Sequence, residues 1–575
     1  MRQLLPRISR LTAPPRRTLH IVGFTAAIIV AGYVSVRLGK DANWDLQNYH
    51  FYNGYAFVDG RLDRDLAPAQ IQTFNNPLLD AAFYLMVRAD WAPRVIAVVL
   101  ALPAGIGAYL IALITLRLFR GRLNEQFVPR IAALAIACTG TMAIALLGTT
   151  MNEWPCAALV LLALWLLLVD ADEARRPARR LVLSGIIAGV AAGLKLTAAP
   201  YAVGLCCALV TQRAPLRRTL TEAAGFSAAV VAGLLLSSGF WFYRMWERFD
   251  NPVFPYLNAW FRSPWWDEVN VPYRVYGPHS LAELVIFPFR LLQTNASFIT
   301  EMHFRDWRLA ILYLAVIGLL ATTLFRRLRS PGATRTAERP RPSVDDPRAR
   351  GAWRLVCVFW IVSFAIWLYQ HSIYRYAIPL ELLMGPLIVG TLQRMVPRRW
   401  LPISATLAAA LAIFTAQYPD WLRVNFDHHY FYVDAPPLPE HSLVILAGDA
   451  PMSYVIPFMR EDARFVGLHN TLTHLAFHHR FSRLVGDVID GHRGPLFSLS
   501  LGRDAEAIVG TRGLSQDRER CVLIHTNMST SPIELCPLLR TGSLSLALER
   551  RGRCNESLRR LGQAQRFSTE GGPST

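Results

Sequence analysis

Eleven apolar blocks recur along the first 417 positions, at 19–37, 93–116, 131–150, 155–169, 181–194, 197–211, 222–241, 309–325, 355–370, 377–392 and 401–417. A helix needs about 20 apolar residues to cross the hydrocarbon layer of a bilayer, and several of these blocks reach or approach that length. So many blocks cannot be buried in one water-soluble core. They predict an all-α polytopic membrane protein of about eleven transmembrane helices, with the lipid bilayer as its solvent. Low overall charge, 18% of residues against 53% hydrophobic, excludes a disordered chain and a coiled-coil fibre.

The distribution of charge gives the orientation. The chain carries 60 basic and 41 acidic residues, a net +19. Residues 418–575 hold 17 arginines and 17 acids, so the excess belongs to the apolar part. With the N-terminus inside, the inside segments 1–18, 117–130, 170–180, 212–218, 326–354 and 394–399 carry 28 basic and 7 acidic residues. The two long outside loops, 39–92 and 242–306, carry 10 and 14. Lys/Arg enrichment marks cytoplasmic loops. This bias predicts a bacterial inner-membrane protein with a cytoplasmic N-terminus and a periplasmic C-terminal domain. Scattered arginines without a single basic, aromatic-rich patch argue against a nucleic-acid partner. The first span has a basic flank, is too long for a typical signal core and has no clear cleavage site, so it is expected to be a retained anchor.

Two domains follow: 1–417, the polytopic part, and 418–575, a periplasmic α/β domain. In the second, short apolar runs at 442–447, 464–468, 496–499 and 521–525 read as strands separated by polar helical stretches. It contains no glycine-rich nucleotide fingerprint and no P-loop. The Arg/Pro-rich stretch 326–354 reads as a cytoplasmic loop. Five of the eight cysteines (138, 156, 206, 207, 357) lie in apolar helices and read as packing residues. In an oxidising periplasm, one pair among Cys521, Cys536 and Cys554 can bond, and the sequence leaves the choice open.

The first outside loop concentrates polar and aromatic side chains. At helical spacing Asp45, Asn48, Tyr49 and Tyr52 share a face beside His50. Aromatic faces can stack on a sugar, and amides can bond its hydroxyls. Asn76-Pro77 suits the cap and first turn of a short helix that presents Asp80 towards the loop. Further polar features are Asn152-Glu153-Trp-Pro155, the glycine-rich run 185–193 followed by Lys195, and Tyr374-Arg375-Tyr376-Ala-Ile-Pro379 with His371 just before it.

In this order the features resemble the GT-C superfamily of integral-membrane glycosyltransferases. The likeness covers about residues 19–400 and is greatest to the dolichyl-phosphate-mannose–protein mannosyltransferase and aminoarabinose transferase branch. The chain departs from the branch's pattern at Leu46, where a second carboxylate is usual, and at Asn76, where a histidine is usual. The resemblance implies an inverting transferase. It would move a sugar from a polyprenyl-phosphate donor to a lipid, glycan or protein acceptor on the periplasmic face. It needs no nucleotide site and no organic cofactor; a divalent cation is possible.

The chemistry assigns the residue types. A carboxylate takes the acceptor's proton. Asp45 is the first choice and Asp41 the competing acid; the bland roles are a helix cap for Asp45 and an interfacial charge for Asp41. Cations hold the departing lipid phosphate, which selects Lys195 and Arg375; a snorkelling lysine and an interfacial anchor are the alternatives. Asn48, Tyr49, His50, Asn76, Glu153 and His371 are the sugar and acceptor candidates, with Glu153 otherwise a helix cap. The aromatics at 240–266 suit an interfacial belt or a lid over the donor. His474 and His478 lack a clear third metal ligand, so no metal site is assigned. A flippase of lipid-linked sugars would carry polar residues at mid-span, whereas here they collect at the outer face. A non-catalytic scaffold would tolerate loss of Asp45 and Lys195.

Overall fold

The structure is a computed structural model that describes residues 16–121, 123–169, 177–212, 215–270, 276–293, 302–329, 347–474, 479–502 and 504–541. Cys554, His478 and most of the stretch 326–354 lie outside these residues. Every one of the eleven apolar blocks contains a helix. Among the described residues six helices are long and apolar enough to cross a membrane: Arg17–Leu38, Pro93–Leu118, Leu216–Phe249, Arg308–Arg326, Arg350–Gln370 and Tyr374–Met395. Shorter apolar helices run over Glu153–Val169, Leu196–Val210 and Leu401–Phe414. The block at 131–150 differs from expectation. Its helix, Leu123–Cys138, stops before Thr139 and Gly140, and a five-residue helix, Thr141–Ala145, follows.

Described residues of the chain divide into two compact units. The first takes in Met1–Asp41, Arg94–Phe240 and Pro272–Arg423; the second takes in Ala42–Pro93, Trp241–Val271 and Val424–Thr575. The second unit is therefore assembled from three segments, two of which the sequence reading counted as loops of the membrane part.

Small residues set the helix packing of the first unit. Gly185, Gly189 and Gly193 recur every fourth residue along Ala178–Leu194, so they share one face. That face lies against the helix Leu216–Phe249. A Cβ at Gly189 would stand 2.0 Å from the Val230 carbonyl oxygen, and one at Gly193 would stand 2.2 Å from Ser237 Oγ. Ser238 Oγ closes the contact by donating to the Gly193 carbonyl at 2.7 Å. Small-residue faces of this kind let membrane helices approach backbone to backbone. The helix then ends: Lys195 is extended (φ −149°, ψ 112°), and a 3₁₀ turn at Leu196–Ala198 leads into Ala199–Val210.

The sheet of the second unit has six strands: β1 (Leu443–Ala447), β2 (Arg464–Leu468), β3 (Leu496–Ser500), β4 (Leu514–Gln516), β5 (Val522–Ile524) and β6 (Ile533–Arg540). Their order is β2-β1-β3-β6-β4, with β5 also on β6. β1 runs parallel to β2 and β3, while β6 is antiparallel to β3, β4 and β5. Fully buried β1 (LVILA) is apolar throughout, as a central parallel strand should be. Cys521 and Cys536 form a disulfide that ties the start of β5 to β6.

The segment Ala42–Pro93 is part of this unit. Leu66 pairs with Val466 on the outer edge of β2: Leu66 N donates to Phe465 O at 2.9 Å and Gly467 N to Leu66 O at 2.8 Å. Arg61 holds the loop in place. Its Nε and Nη2 donate to the Asp65 carboxylate at 3.1 and 2.8 Å, and Nη2 also reaches Ala463 O at 2.8 Å. Covering the edge strand in this way removes an exposed row of backbone donors and acceptors.

Candidate functional site

In the first unit, the break after Leu194 and the start of the helix Glu153–Val169 bring opposite charges together. Lys195 Nζ lies 2.6 Å from Glu153 Oε1. The Glu153 side chain is 2% exposed and that of Lys195 18%, so this is a largely buried pair with one accessible end. Arg375, on the 3₁₀ turn Tyr374–Ala377, places Nε 4.0 Å from the same carboxylate oxygen. Tyr376 joins the two cations: its ring centroid is 5.2 Å from Lys195 Nζ and 5.2 Å from the Arg375 guanidinium carbon. Trp421 offers Arg375 a second aromatic face at 5.6 Å, and Met151 Sδ accepts from Nη1 at 3.8 Å. Tyr201 fixes the turn by donating from its hydroxyl to the Tyr376 carbonyl at 2.5 Å. A small cleft lined by Glu153, Lys195, Thr197, Tyr201, Tyr376 and Pro379 opens here. Glu153 Oε2 is buried and has no hydrogen-bond partner among the described residues.

Lys195 and Arg375 set two positive charges against the Glu153 carboxylate, and aromatic faces stabilise such charges. His371 borders the cluster edge-on to Tyr376, with centroids 5.7 Å apart, and burial holds its imidazole below the usual histidine range. Asp41 Oδ2 accepts from both the backbone N and the hydroxyl of Thr150, each at 2.8 Å, which ties it to the turn preceding Asn152.

In the second unit, residues 46–50 form one π-helical turn that continues into the α-helix Phe51–Val58. Single π turns inside helices recur at functional sites because the extra residue re-aims side chains. Asp45 makes no side-chain cap bond to this helix. Asn43 takes that role instead, accepting from Leu46 N at 2.8 Å. Asp45 Oδ2 accepts from the Tyr49 hydroxyl at 3.1 Å, one helical turn on. The next residue, His50, sets its ring at a 42° tilt to that of Tyr49 with centroids 4.1 Å apart, and its Nδ1 lies 2.6 Å from Asp80 Oδ1. Asp80 belongs to the short helix Leu78–Arg88, started by Asn76, whose side chain accepts from Leu78 N at 3.1 Å. Asn48 is buried, in contact range of the Gln70 and Gln72 amides at 3.4 Å.

Neither any protein-family model nor any curated protein matches the sequence. The chain's three-dimensional structure is similar to the crystal structure of ArnT from Cupriavidus metallidurans bound to undecaprenyl phosphate. That match has a TM-score of 0.50 and 13% identity, over 92% of this chain and 98% of that one. Apo ArnT from the same organism matches at a TM-score of 0.50 and 14% identity, over 92% and 99%. The oligosaccharyltransferase of Archaeoglobus fulgidus matches at 0.37 and 14%, over 73% and 60%. The chain has an ArnT-like fold. It is a multi-pass membrane protein with a smaller sheet-containing unit.

Within this ArnT-like fold, the residues singled out from the sequence fall into two groups. Glu153, Lys195, Arg375 and His371 meet in the first unit. Asp45, Asn48, Tyr49, His50 and Asn76 belong to the second, where Asp45–Tyr49 and His50–Asp80 are adjacent pairs. Several contributors had no sequence signal: Met151 and Trp421 meet Arg375, and Tyr201 meets the Tyr376 carbonyl, only in the folded chain. A further charged group, buried in the first unit, did carry a signal that sequence reasoning missed. Glu381 is an acid inside a candidate span, and such residues are rare and commonly functional or paired. Its Oε2 accepts from Ala143 N at 2.8 Å and its Oε1 from Met142 N at 3.2 Å. It thus caps the short helix that follows the break at Gly140. Thr141 bridges it to Asp306, and Asp306 pairs with Arg308 at 3.0 Å, all fully buried. Among the described residues no group of three or more His, Cys, Asp or Glu side chains could hold a metal ion.

Proposed function

We propose that the protein is a GT-C glycosyltransferase that transfers a sugar from a polyprenyl-phosphate carrier to a hydroxyl-bearing lipid, glycan or protein, with inversion at the anomeric carbon. The observation that carries this reading is the Lys195–Glu153–Arg375 cluster around Tyr376, two cations on an aromatic wall in an apolar helical unit. The ArnT fold, known with undecaprenyl phosphate bound in one relative, supports it.

In this mechanism the acceptor oxygen attacks the anomeric carbon while its proton passes to a carboxylate, and the bond from that carbon to the phosphate oxygen breaks. Negative charge grows on the departing polyprenyl phosphate. Lys195 and Arg375 face that charge, and fixed cations in a dry site stabilise it far more than water would. Glu153 orients the two cations. Asp45 is the proposed general base, a buried carboxylate whose Oδ2 accepts from the Tyr49 hydroxyl at 3.1 Å. Asp41, already accepting two bonds from Thr150, is the weaker candidate. His50, oriented by Asp80, and Asn48, Tyr49, Asn76 and His371 contribute sugar and acceptor contacts. The protein resides in a bacterial inner membrane with a cytoplasmic N-terminus and the sheet domain in the periplasm.

The test uses the full chain purified in detergent. Release of polyprenyl phosphate from a panel of lipid-linked sugars is measured for the unsubstituted protein, Asp45→Asn and Lys195→Ala. Turnover by the unsubstituted chain with loss in both variants is expected. Unchanged turnover in both variants refutes the site, and no turnover of any donor refutes the function.

A further inference from the structure

A second cationic cleft lies in the sheet-containing unit, and the transferase reading assigns it nothing. It is open, holds about 370 Å³, and is lined by Asp63, Arg64, His441, Ser442, Asp462, Arg464 and His492. That volume accommodates a small ligand rather than an ion alone.

Both arginines are placed by the edge pairing described above. Arg464 is the first residue of β2, and Arg64 precedes the Leu66 bridge to the same strand. Arg464 Nε donates to the Arg64 carbonyl at 2.7 Å, and Arg64 Nη2 donates to the Asp462 carbonyl. Among the described residues neither guanidinium makes a salt bridge. The two carboxylates of the cleft are committed elsewhere. Asp63 is shared by Arg244 at 2.6 Å and Arg248 at 2.9 Å. Asp462 accepts from His441 N at 2.9 Å and pairs with Arg460.

Asp63 and Asp462 are thus taken up by Arg244, Arg248 and Arg460, and Arg460 also reaches Glu440 at 2.9 Å. Burial holds Arg464 below its ordinary range, with Asp65 opposing and the Arg64 charge reinforcing the shift. Burial and the charges of Arg540 and Arg464 likewise lower His492. Two guanidiniums fixed side by side through main-chain carbonyls, with their outer N–H groups unspent, form a preorganised fork for a tetrahedral oxyanion. A lone carboxylate ligand would satisfy one fork; a phosphate presents oxygens to both.

We propose that this cleft is a binding site for a phosphomonoester, gripped between Arg64 and Arg464, and distinct from the Lys195–Arg375 cluster. The phosphate could belong to a lipid headgroup or to a soluble phosphoester, and the two share this chemistry.

The test uses the full chain in detergent with two probes, inorganic phosphate and dihexanoyl phosphatidic acid. Saturable binding by calorimetry is expected for the unsubstituted protein. Arg64→Ala with Arg464→Ala should weaken it at least tenfold, Arg464→Lys should weaken it less, and Lys195→Ala should leave a full equivalent bound at this site. Tighter binding of the short lipid than of phosphate identifies a headgroup source, and equal binding a soluble one. Because the double variant also loosens the loop at the sheet edge, protection of the unsubstituted chain is measured too. Phosphate should shield Arg64 and Arg464 from phenylglyoxal, read by mass spectrometry. No saturable binding, an unchanged double variant, or equal labelling with and without phosphate overturns the proposal.

Discussion

Replacing Lys195 separates stability from function. In the folded protein its ammonium neutralises Glu153 across 2.6 Å, and the carboxylate is almost wholly buried. Breaking a buried pair by removing one partner costs roughly 3–5 kcal/mol, because the other charge is left uncompensated. Two features place this case near the lower end. The Lys195 side chain is 18% exposed, and Arg375 remains 4.0 Å from the same oxygen. Lys195→Ala should therefore destabilise by about 3 kcal/mol. Lys195→Ala combined with Glu153→Gln removes both charges and should recover most of that loss, to within about 1 kcal/mol. Thermal unfolding in detergent at one fixed scan rate reads the difference, since heating a protein of this size is rarely reversible. Turnover should behave oppositely. If Lys195 holds the departing phosphate, its loss costs about 10²–10³-fold in rate, as for other preorganised charge-stabilising donors, and the double variant does not recover it. Equal thermal stability of all three proteins would refute the buried-pair argument. Recovery of turnover in the double variant would show that Lys195 acts only by neutralising Glu153.

Other perturbations probe different parts of the molecule. Gly189→Leu drives a side chain into the Val230 carbonyl, where a Cβ alone would stand at 2.0 Å. It should abolish the monodisperse gel-filtration peak, whereas Gly225→Ala, with open space around the position, should leave it intact. Asp65→Ala leaves Arg61 without its bidentate partner and frees the loop from the β2 edge. A loss of about 3 kcal/mol is expected, with faster hydrogen exchange confined to 61–67 and 464–468. Cys521→Ser with Cys536→Ser opens a 15-residue loop. The expected cost is at most about 3 kcal/mol, with the helical signal of the membrane unit unaltered. Asp45→Asn removes the proposed base but keeps the Tyr49 contact, so turnover should collapse while the unfolding temperature moves little.

What was legible in the sequence was whatever depends on residue type and local period. The apolar blocks placed the helices because bilayer-facing segments need continuous hydrophobicity whatever their neighbours. Gly185, Gly189 and Gly193 stood out as a glycine-rich run, and Lys195 as one of only two lysines, in an apolar setting. The extent of a helix was less legible. The block at 131–150 reads as one span, but Thr139 and Gly140 break it, and the break is stabilised by Glu381 some 240 residues away.

The tertiary structure alone decided the partnerships. Periodicity groups Asp45 with Tyr49 because they are one turn apart, but no local rule pairs His50 with Asp80 or Lys195 with Glu153, separated by 30 and 42 residues. The Cys521–Cys536 choice likewise waited on the pairing of β5 with β6. The assignment of the first outside loop shows the division most clearly. Its composition marked it as polar and aromatic, but its place in the sheet unit rests on long-range bonds: the Leu66 backbone to residues 465–467, beside the Asp65 carboxylate accepting from Phe465 N at 3.0 Å. Backbone donors and acceptors are the same in every residue, so their long-range pairing leaves no trace in the order of side chains.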